Sequence, residues 1–324
     1  MNRVRKIFWL VGGDTLIGMI RQLKTRLFGL CYKFKDKTHN SRHCFITCSG
    51  KTDGIGAQVQ AVFSAMLFAQ EFGMIYAHTP FGKIVGTDGS SEEWDYFFGL
   101  GEGEISTNDL HVESLHVVHV ANPLFIRFKD NTLYIVEHCH SFVDSGCNSE
   151  LYSTLLDRFV EKYQSSSKKK YKSFYDDGKL NIAIHARRGD VSKKGTHSER
   201  YTDNSYYRIL LKKIQRIIDY LGIESSIHLY SQGSIEDFKE LEEFPIYYHL
   251  DECVFTTFNN LVSSDVIVTS KSTFSYCAAL LSKSIVIYEP FWHKPLAHWL
   301  PVIWDGDNET VILNETELQS RLKI

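Results

Sequence analysis

Two adjacent arginines followed by an acid mark the stretch of this chain best equipped to hold an anion. Residues 181–190 read N-I-A-I-H-A-R-R-G-D, in which a short apolar run ends in His185, Arg187, Arg188 and Asp190. Guanidinium groups bind phosphate oxygens in pairs, and a nearby carboxylate can hold one of them in place. The pattern predicts an anion site, and a surface network of ion pairs is the alternative.

A second polar cluster follows another apolar run. After Val268 the chain reads T-S-K-S-T-F-S, and a helix is predicted from Thr273 to Leu281. Hydroxyl groups and free backbone N–H groups at a helix start favour anions. This stretch therefore predicts a second anion-binding element, with a simple Ser/Thr helix cap as the alternative.

A third stretch, residues 53–58, reads D-G-I-G-A-Q between a predicted strand at 44–48 and a predicted helix at 59–72. Gly54 and Gly56 suit a tight turn that lets backbone N–H groups approach an anion. Many βα turns also use glycine with no ligand, so this motif is weak by itself.

The elements that must position these residues alternate regularly after residue 176. Apolar strands follow amphipathic helices in a pattern that indicates a parallel, doubly wound α/β sheet. The predicted strands are 182–184, 227–230, 246–249, 266–268 and 285–288, and the predicted helices are 204–221, one opening at Ser234 with Asp237 as a cap, 255–262 and 273–281. Ligands of such sheets bind beyond the carboxyl ends of the strands.

The first half of the chain shows a similar but less regular alternation. Its predicted strands are 44–48, 75–78, 115–120 and 132–137, and its predicted helices are 59–72 and 149–163. Residues 165–175 are polar, charged and without periodicity, which is typical of a linker. We therefore predict an N-terminal domain at 39–164, a linker at 165–175 and a C-terminal domain at 176–324.

Residues 1–38 form a separate basic extension, with nine lysines and arginines against two aspartates. Its apolar stretches are too short for a secure bilayer span, and no signal-peptide cleavage pattern follows them. Two alternatives remain open: peripheral contact with an anionic membrane, or an extension that is disordered or packed on the core.

Composition narrows the class of protein. The 324 residues carry a net charge of −3, which does not favour nucleic-acid binding. The seven cysteines are irregularly spaced and contain no C-x-x-C pair, which favours reduced thiols and a cytoplasmic protein.

The two candidate metal-binding motifs in the sequence are poorly arranged for chelation. In His138-Cys139-His140, alternation along a strand would turn the cysteine away from both histidines, and Asp305-Gly-Asp307 is interpreted as a turn. We therefore expect no metal and no other cofactor.

Together the three motifs resemble a known family. H-A-R-R-G-D resembles the H-x-R-R motif of the fucosyltransferase superfamily, which includes α1,2-, α1,6- and protein O-fucosyltransferases. D-G-I-G-A-Q resembles its glycine-rich loop and S-T-F-S its third motif, in the family's order, over about residues 44–290. The resemblance implies a GT-B-like α/β fold with two Rossmann-like domains. It also implies an inverting, metal-independent glycosyltransferase that moves fucose from GDP-fucose to a glycan hydroxyl.

The resemblance also assigns residues. Arg187, Arg188 and Asp190 match the catalytic motif, with at least one arginine at the donor diphosphate. Donor binding is assigned to His185 and to the matching residues of the other two motifs, Gly54, Gly56, Gln58, Ser272, Thr273, Phe274 and Ser275. The candidates for a general base are Asp53, Asp190, His197, Glu199 and Glu289.

One difference from the family's pattern leaves the identity of the sugar donor undecided. Related enzymes often place an aspartate that binds guanine shortly before the strand that precedes S-T-F-S, where this chain has T-T-F-N at 256–259. The nearest acids are Asp251 and Glu252. The alternatives are another donor such as a UDP-sugar, or a non-catalytic protein that binds nucleotide or glycan. A Rossmann oxidoreductase is disfavoured because Val59 replaces the third glycine of G-x-G-x-x-G.

Overall fold

The computed structural model describes residues 44–323 except positions 87, 122, 124, 125, 141, 144–148, 167–174, 176, 177, 196 and 307. The described residues fall into two compact units, one ending at residue 166 and the other beginning at residue 175. The predicted basic extension and its membrane contact lie outside the described residues, as does most of the predicted linker. The predicted domain boundaries stay predictions.

The N-terminal unit is built on a five-stranded sheet in the order β3-β2-β1-β5-β4, with every neighbouring pair parallel. Its elements are β1 Cys44–Cys48, α1 Ile55–Phe72, β2 Ile75–His78, α2 Ser91–Phe98, β3 Ile105–Ser106, β4 His116–Val120, β5 Thr132–Val136 and α3 Glu150–Ser165. Two short 3₁₀ helices, Thr107–Asp109 and Val112–Ser114, connect β3 to β4.

The core of this unit lies where α1 packs on β1 and on α3. Strand β1 is buried along its whole length, as expected for a central parallel strand that has neighbours on both edges and is covered on its faces. The ring of Phe63 in α1 lies 5.1 Å from that of Tyr152 and 5.2 Å from that of Phe159, both in α3. These edge-to-face contacts pack α1 against α3.

The C-terminal unit is built on a six-stranded parallel sheet in the order β11-β10-β9-β6-β7-β8. Its elements are β6 Leu180–His185, α4 Asn204–Leu221, β7 Ser225–Ser231, β8 Ile246–Leu250, α5 Val254–Ser263, β9 Val266–Val268, α6 Thr273–Leu281, β10 Ile285–Tyr288, β11 Leu300–Pro301, β12 Ile303–Asp305, β13 Thr310–Ile312 and α7 Glu315–Leu322. Counted within the unit, the strand order is 3-2-1-4-5-6. The order reverses between β6 and β9, which is the position where doubly wound sheets bind ligands.

The prediction of an α/β chain with two parallel sheets is confirmed. The strands predicted at 44–48, 75–78, 266–268 and 285–288 have the observed bounds, and so do the helices at 204–221 and 273–281. Gly222 ends α4 with a φ of +65°, a conformation that glycine adopts without steric cost.

Three of the features that differ from the prediction lie in α1, after Ser234 and after β11. Helix α1 begins at Ile55 rather than at residue 59. The helix predicted after Ser234 is a 3₁₀ helix, Ile235–Leu241, interrupted at Phe238, although Ser234 and Asp237 do form the predicted cap. The Asp237 carbonyl accepts a 2.6 Å hydrogen bond from the Asn204 side chain, which competes with regular helical bonding.

The third difference concerns the C-terminal segment, which sequence periodicity leaves unassigned. Strands β12 and β13 form an antiparallel hairpin whose last pair is Asp305 with Thr310. Asp305-Gly-Asp307 therefore begins at the end of a strand and leads into a turn, as interpreted from the sequence, although position 307 itself lies outside the described residues.

Two further observations concern the described part of the chain. None of its helices combines the length and apolar character that crossing a bilayer requires. Among its cysteines, Cys48, Cys139 and Cys253 are free thiols.

Candidate functional site

The candidate site lies in the C-terminal unit, where β6 and β9 end side by side. His185 is the last residue of β6, and Ser270 follows β9 by two residues. The His185 Nδ1 atom lies 2.8 Å from the Ser270 hydroxyl oxygen, and the Phe274 ring lies 5.5 Å from the imidazole. The structure therefore brings the H-A-R-R-G-D stretch and the T-S-K-S-T-F-S stretch into direct contact at the reversal of the strand order.

The imidazole of His185 is held in its neutral form. Burial lowers the pKa of His185 to about 3, and the positive charges of Arg187 and Arg188 act in the same direction. A neutral imidazole donates from one nitrogen and accepts at the other. Because Nδ1 contacts Ser270, Nε2 is the nitrogen left to meet a ligand.

The start of helix α6 supplies the next polar groups. Ser272 is its N-cap residue, and the Ser272 hydroxyl oxygen accepts a 3.3 Å hydrogen bond from the Phe274 N–H. The Ser275 hydroxyl donates to the Ser272 carbonyl at 3.3 Å and accepts from the Ser270 N–H at the same distance. The helix cap that the sequence offered as the alternative is therefore formed, and the positive end of α6 lies beside His185.

Arg187 and Asp190 form a two-pronged ion pair. The Arg187 Nε and Nη2 atoms lie 3.1 and 2.6 Å from the two Asp190 carboxylate oxygens. These hydrogen bonds lower the pKa of Asp190 below its usual value. Gly189 makes the turn between the two residues with a φ of +77°, and a Cβ atom there would lie 2.2 Å from the Gln232 side chain. The tight turn aligns the guanidinium with the carboxylate.

Arg188 is directed elsewhere. Its Nη2 atom donates to the Asn204 side-chain oxygen at 2.7 Å, and its Nη1 atom donates to the Arg187 carbonyl at 2.9 Å. The guanidinium also lies over the Tyr201 ring, 4.3 Å from its centroid, and 5.4 Å from that of Phe238. Arg188 therefore braces the loop after β6 against the start of α4.

Sequence reasoning missed Lys271, which lies between Ser270 and the helix cap. Its ammonium nitrogen is 3.3 Å from a carboxylate oxygen of Glu289, which directly follows β10. Thr202 donates its hydroxyl to the same carboxylate, with oxygen distances of 2.7 and 2.8 Å. The position of Lys271 three residues after β9, between Ser270 and Ser272, was the available signal. Glu289, a candidate general base, is buried within this network.

The glycine motif belongs to the N-terminal unit. Gly54 is the N-cap residue of α1 with a φ of −61°, and Gly56 lies inside the first helical turn, so the predicted glycine-dependent turn is not formed. The buried Gln58 donates from Nε2 to the Asp53 carbonyl at 2.9 Å and to the Lys83 carbonyl at 3.0 Å. Gln58 thus ties the segment before α1 to the segment after β2.

Metal-ligating residues do not gather in the part of the chain that the structure describes. No group of three or more histidine, cysteine, aspartate or glutamate side chains there could hold a metal ion. The rings of His138 and His140 stack 4.4 Å apart, while Cys139 between them is buried and its N–H donates to the Ser64 hydroxyl at 2.7 Å. The histidines and the cysteine therefore do not converge.

No protein-family model matches this chain, and no curated protein sequence matches it. Similar folds occur among solved structures. An α-1,6-fucosyltransferase, NodZ, soaked with GDP-fucose, has a TM-score of 0.42 and 12% identity over 84% of this chain and 100% of that chain. This enzyme has also been solved from Bradyrhizobium.

Two other solved structures are similar to the same degree. The E. coli heptosyltransferase WaaC, with ADP-2-deoxy-2-fluoro heptose, has a TM-score of 0.40 and 11% identity over 87% of this chain and 99% of that chain. POFUT1 in complex with GDP has a TM-score of 0.37 and 11% identity over 76% of this chain and 97% of that chain. At such identities and TM-scores, the likeness assigns no activity to this chain.

Proposed function

We propose that this protein is a glycosyltransferase that binds a nucleoside-diphosphate sugar at the carboxyl ends of β6 and β9. The observation that carries the proposal is the contact between His185 and Ser270, 2.8 Å apart at the reversal of the strand order. It supports the proposal because the neutral imidazole, the ion-paired Arg187 and the N-terminus of α6 lie at the sheet edge where doubly wound folds bind ligands. GDP-fucose is the first candidate donor because three motifs match enzymes that use it.

The proposed reaction breaks the bond between the anomeric carbon and the diphosphate oxygen. The bonding electron pair leaves with the diphosphate, and the acceptor hydroxyl of a glycan attacks from the opposite face, which inverts the anomeric configuration. Arg187 and the positive end of α6 stabilise the charge that develops on the leaving group. Fixed positive groups of this kind can replace a metal ion, so the proposal includes metal independence.

Each motif residue has a distinct part in this proposal. His185 contacts the donor through Nε2, while the hydroxyls of Ser272 and Ser275 stabilise the backbone at the start of α6 through hydrogen bonds. Arg188 acts by holding the loop that carries Arg187. Donor contacts of Thr273 and Phe274 stay predictions, as do those of Gly54, Gly56 and Gln58 in the N-terminal unit.

The acceptor hydroxyl must give its proton to a general base. The candidate bases in the C-terminal unit differ in exposure, in hydrogen bonding and in pKa. The Glu289 carboxylate is only 3% exposed and is bonded to Thr202 and Lys271. Asp190 is a weak base because its hydrogen bonds to Arg187 lower its pKa. His197 and Glu199 are 51% and 67% exposed and lie 3.7 Å apart, so they keep access to an acceptor.

A panel of nucleotide sugars tests the proposal. The purified protein is incubated with GDP-fucose, other GDP-sugars, UDP-sugars and ADP-heptose, and release of the nucleoside diphosphate is measured with and without a glycan mixture. We expect release from one donor class, stimulated by glycan. Tight nucleotide binding without turnover would instead identify a non-catalytic binding protein, and neither binding nor turnover would contradict the proposal.

A further inference from the structure

A third arginine lies at the same edge of the C-terminal sheet. Arg200 ends a short 3₁₀ helix, Ser198–Arg200, in the loop that follows β6. The next residue, Tyr201, touches both clusters of the candidate site. Its ring lies against Arg188, and its carbonyl oxygen lies 3.4 Å from the Lys271 ammonium, just before the cap of α6. The backbone therefore holds Arg200 beside the groups assigned to the donor.

Arg200 differs from the two motif arginines in the use of its donors. Arg187 is engaged by Asp190, and Arg188 by Asn204 and a carbonyl. The Arg200 Nε atom is buried and finds no hydrogen-bond acceptor among the described residues. The nearest carboxylate oxygen, from Glu199, is 3.7 Å away, beyond hydrogen-bonding distance. A buried guanidinium nitrogen without an acceptor is costly unless a ligand supplies one.

An aromatic ring fixes the plane of this guanidinium. The central carbon of the Arg200 guanidinium lies 4.4 Å from the centroid of the Trp292 ring, within the range of a cation–π contact. Trp292 follows β10, which pairs with β9, so it comes from the same edge of the sheet. Its side chain is 43% exposed, and that of Arg200 is 27% exposed. The stack holds one face of the guanidinium, and the side chain as a whole stays partly exposed.

The positive charge of Arg200 also acts on the ion pair of Arg187 and Asp190. It contributes to the lowered pKa of Asp190, together with the larger effect of Arg187. The charges of Arg187 and Arg200 therefore both act on the Asp190 carboxylate.

We propose that Arg200 contacts the diphosphate of the bound nucleotide sugar, as a third guanidinium of the donor site, and that Trp292 positions it. This inference rests on the proposed function, since it assigns the ligand of Arg200 to the same donor. A phosphate oxygen would supply the acceptor that Nε lacks, and guanidinium geometry suits two oxygens of one phosphate. Arg200 supplies positive charge beside the leaving diphosphate, whereas Trp292 acts only through Arg200.

Nucleoside-diphosphate binding measured by isothermal titration calorimetry tests this assignment. We expect Arg200→Gln to weaken the binding of GDP and of UDP by the same factor, about 10-fold to 100-fold, because the contact is with phosphate and not with the base. Arg200→Lys keeps the positive charge but cannot bind two oxygens at once as a guanidinium does. Its affinity for nucleotide should lie between those of wild type and Arg200→Gln. Trp292→Ala should weaken binding about 2-fold to 5-fold, and Trp292→Phe should restore it, because an aromatic face remains.

Arg208→Gln is the matched control, because Arg208 lies on α4, pairs with Glu243 at 2.6 Å and carries the same charge. It should bind nucleotide as wild type does. If Arg200→Gln and Arg200→Lys both bind nucleotide as tightly as wild type, the role of Arg200 is overturned and the proposed function still stands. A wild-type protein that binds none of GDP, UDP and ADP would overturn the proposed function, and this inference with it.

Discussion

The imidazole of His185 and the hydroxyl of Ser270 lie 2.8 Å apart although 85 residues separate them in the chain. The contact exists because β6 and β9 are parallel neighbours in register from Ile182 with Val266 to Ile184 with Val268. Each strand therefore delivers its following polar residue to the same edge. This contact joins the arginine motif to the start of α6.

Loss of the Arg187 guanidinium should reduce turnover without unfolding the protein. Arg187→Ala removes one of the groups proposed to stabilise the leaving diphosphate, and such losses cost about 100-fold to 1,000-fold in rate. The free energy of unfolding should change by only about 0.5–1 kcal/mol, because its partner Asp190 is 55% exposed. Donor turnover and urea unfolding are measured on the same samples.

Asp190→Asn is the matched variant for this prediction. It weakens the ion pair but keeps the guanidinium, so its loss of turnover should be smaller than that of Arg187→Ala. Near-normal turnover in Arg187→Ala would remove Arg187 from the proposed donor site.

Arg188 should behave differently, because its contacts are internal. Arg188→Ala removes a charge-assisted hydrogen bond to Asn204 and a cation–π contact with Tyr201. We expect the free energy of unfolding to fall by about 1–3 kcal/mol, with turnover reduced as well. Arg188→Lys should recover part of the stability. Unchanged urea unfolding in Arg188→Ala would contradict the bracing role.

The lowered pKa of His185 predicts how stability depends on pH. The unfolded chain takes up the proton near the usual pKa of about 6.5, whereas the folded protein resists it down to a pKa of about 3. Between these values the unfolded state binds more protons, so acid lowers stability by up to about 1.4 kcal/mol per pH unit from this group. This contribution is fully present above about pH 7.

His185→Gln isolates this contribution, because His228 also has a lowered pKa, about 4, and adds the same sign of effect in both proteins. Urea unfolding is compared at pH 7.5, 6.5 and 5.5. The stability of wild type minus that of His185→Gln should decrease as the pH falls. A difference that stays constant across this range would show that His185 titrates normally.

Removal of divalent metal ions should leave turnover intact. In the proposed mechanism, the positive end of α6 and Arg187 take the part that a metal ion has in other glycosyl transfers. Turnover is measured before and after extended treatment with EDTA, and again after addition of manganese or magnesium. Activity that is lost with chelator and restored by either ion would refute the metal-independent mechanism.

Two acids that follow β8 are the candidates for binding a guanine base. The Asp251 carboxylate accepts a 3.1 Å hydrogen bond from the Gly233 N–H, and that of Glu252 lies 2.9 Å from His249 Nδ1. Guanine presents N–H donors that favour a carboxylate, and leaving them unpaired costs about 1–3 kcal/mol. If GDP is the natural nucleotide, one of these acids must bind its base.

Binding of GDP and UDP is therefore compared in wild type, Asp251→Asn and Glu252→Gln. We expect wild type to prefer GDP and one variant to lose that preference about 5-fold to 100-fold. Asparagine tolerates the positive φ of 52° at position 251, so the first variant should keep its backbone. A wild-type preference for UDP would reject GDP-fucose as the donor.

Local patterns were sufficient for much of the fold. Buried strands such as β1 and β9 are short apolar runs with polar ends, and α4 carries its apolar residues at helical spacing up to Gly222. Such signals depend only on neighbours in sequence. The two-residue strands β3 and β11 are too short to carry a period, and they were missed for that reason.

The amino-acid sequence by itself determined which residue types stand at the strand ends: a histidine with two arginines after β6, and hydroxyl groups after β9. Only the tertiary structure decided how they are used. Arg188 turns to Asn204 and Arg187 to Asp190, while Arg200 stacks on Trp292, 92 positions later in the chain. The physical reason is that side-chain partners depend on strand order and loop path, which periodicity and residue type do not encode.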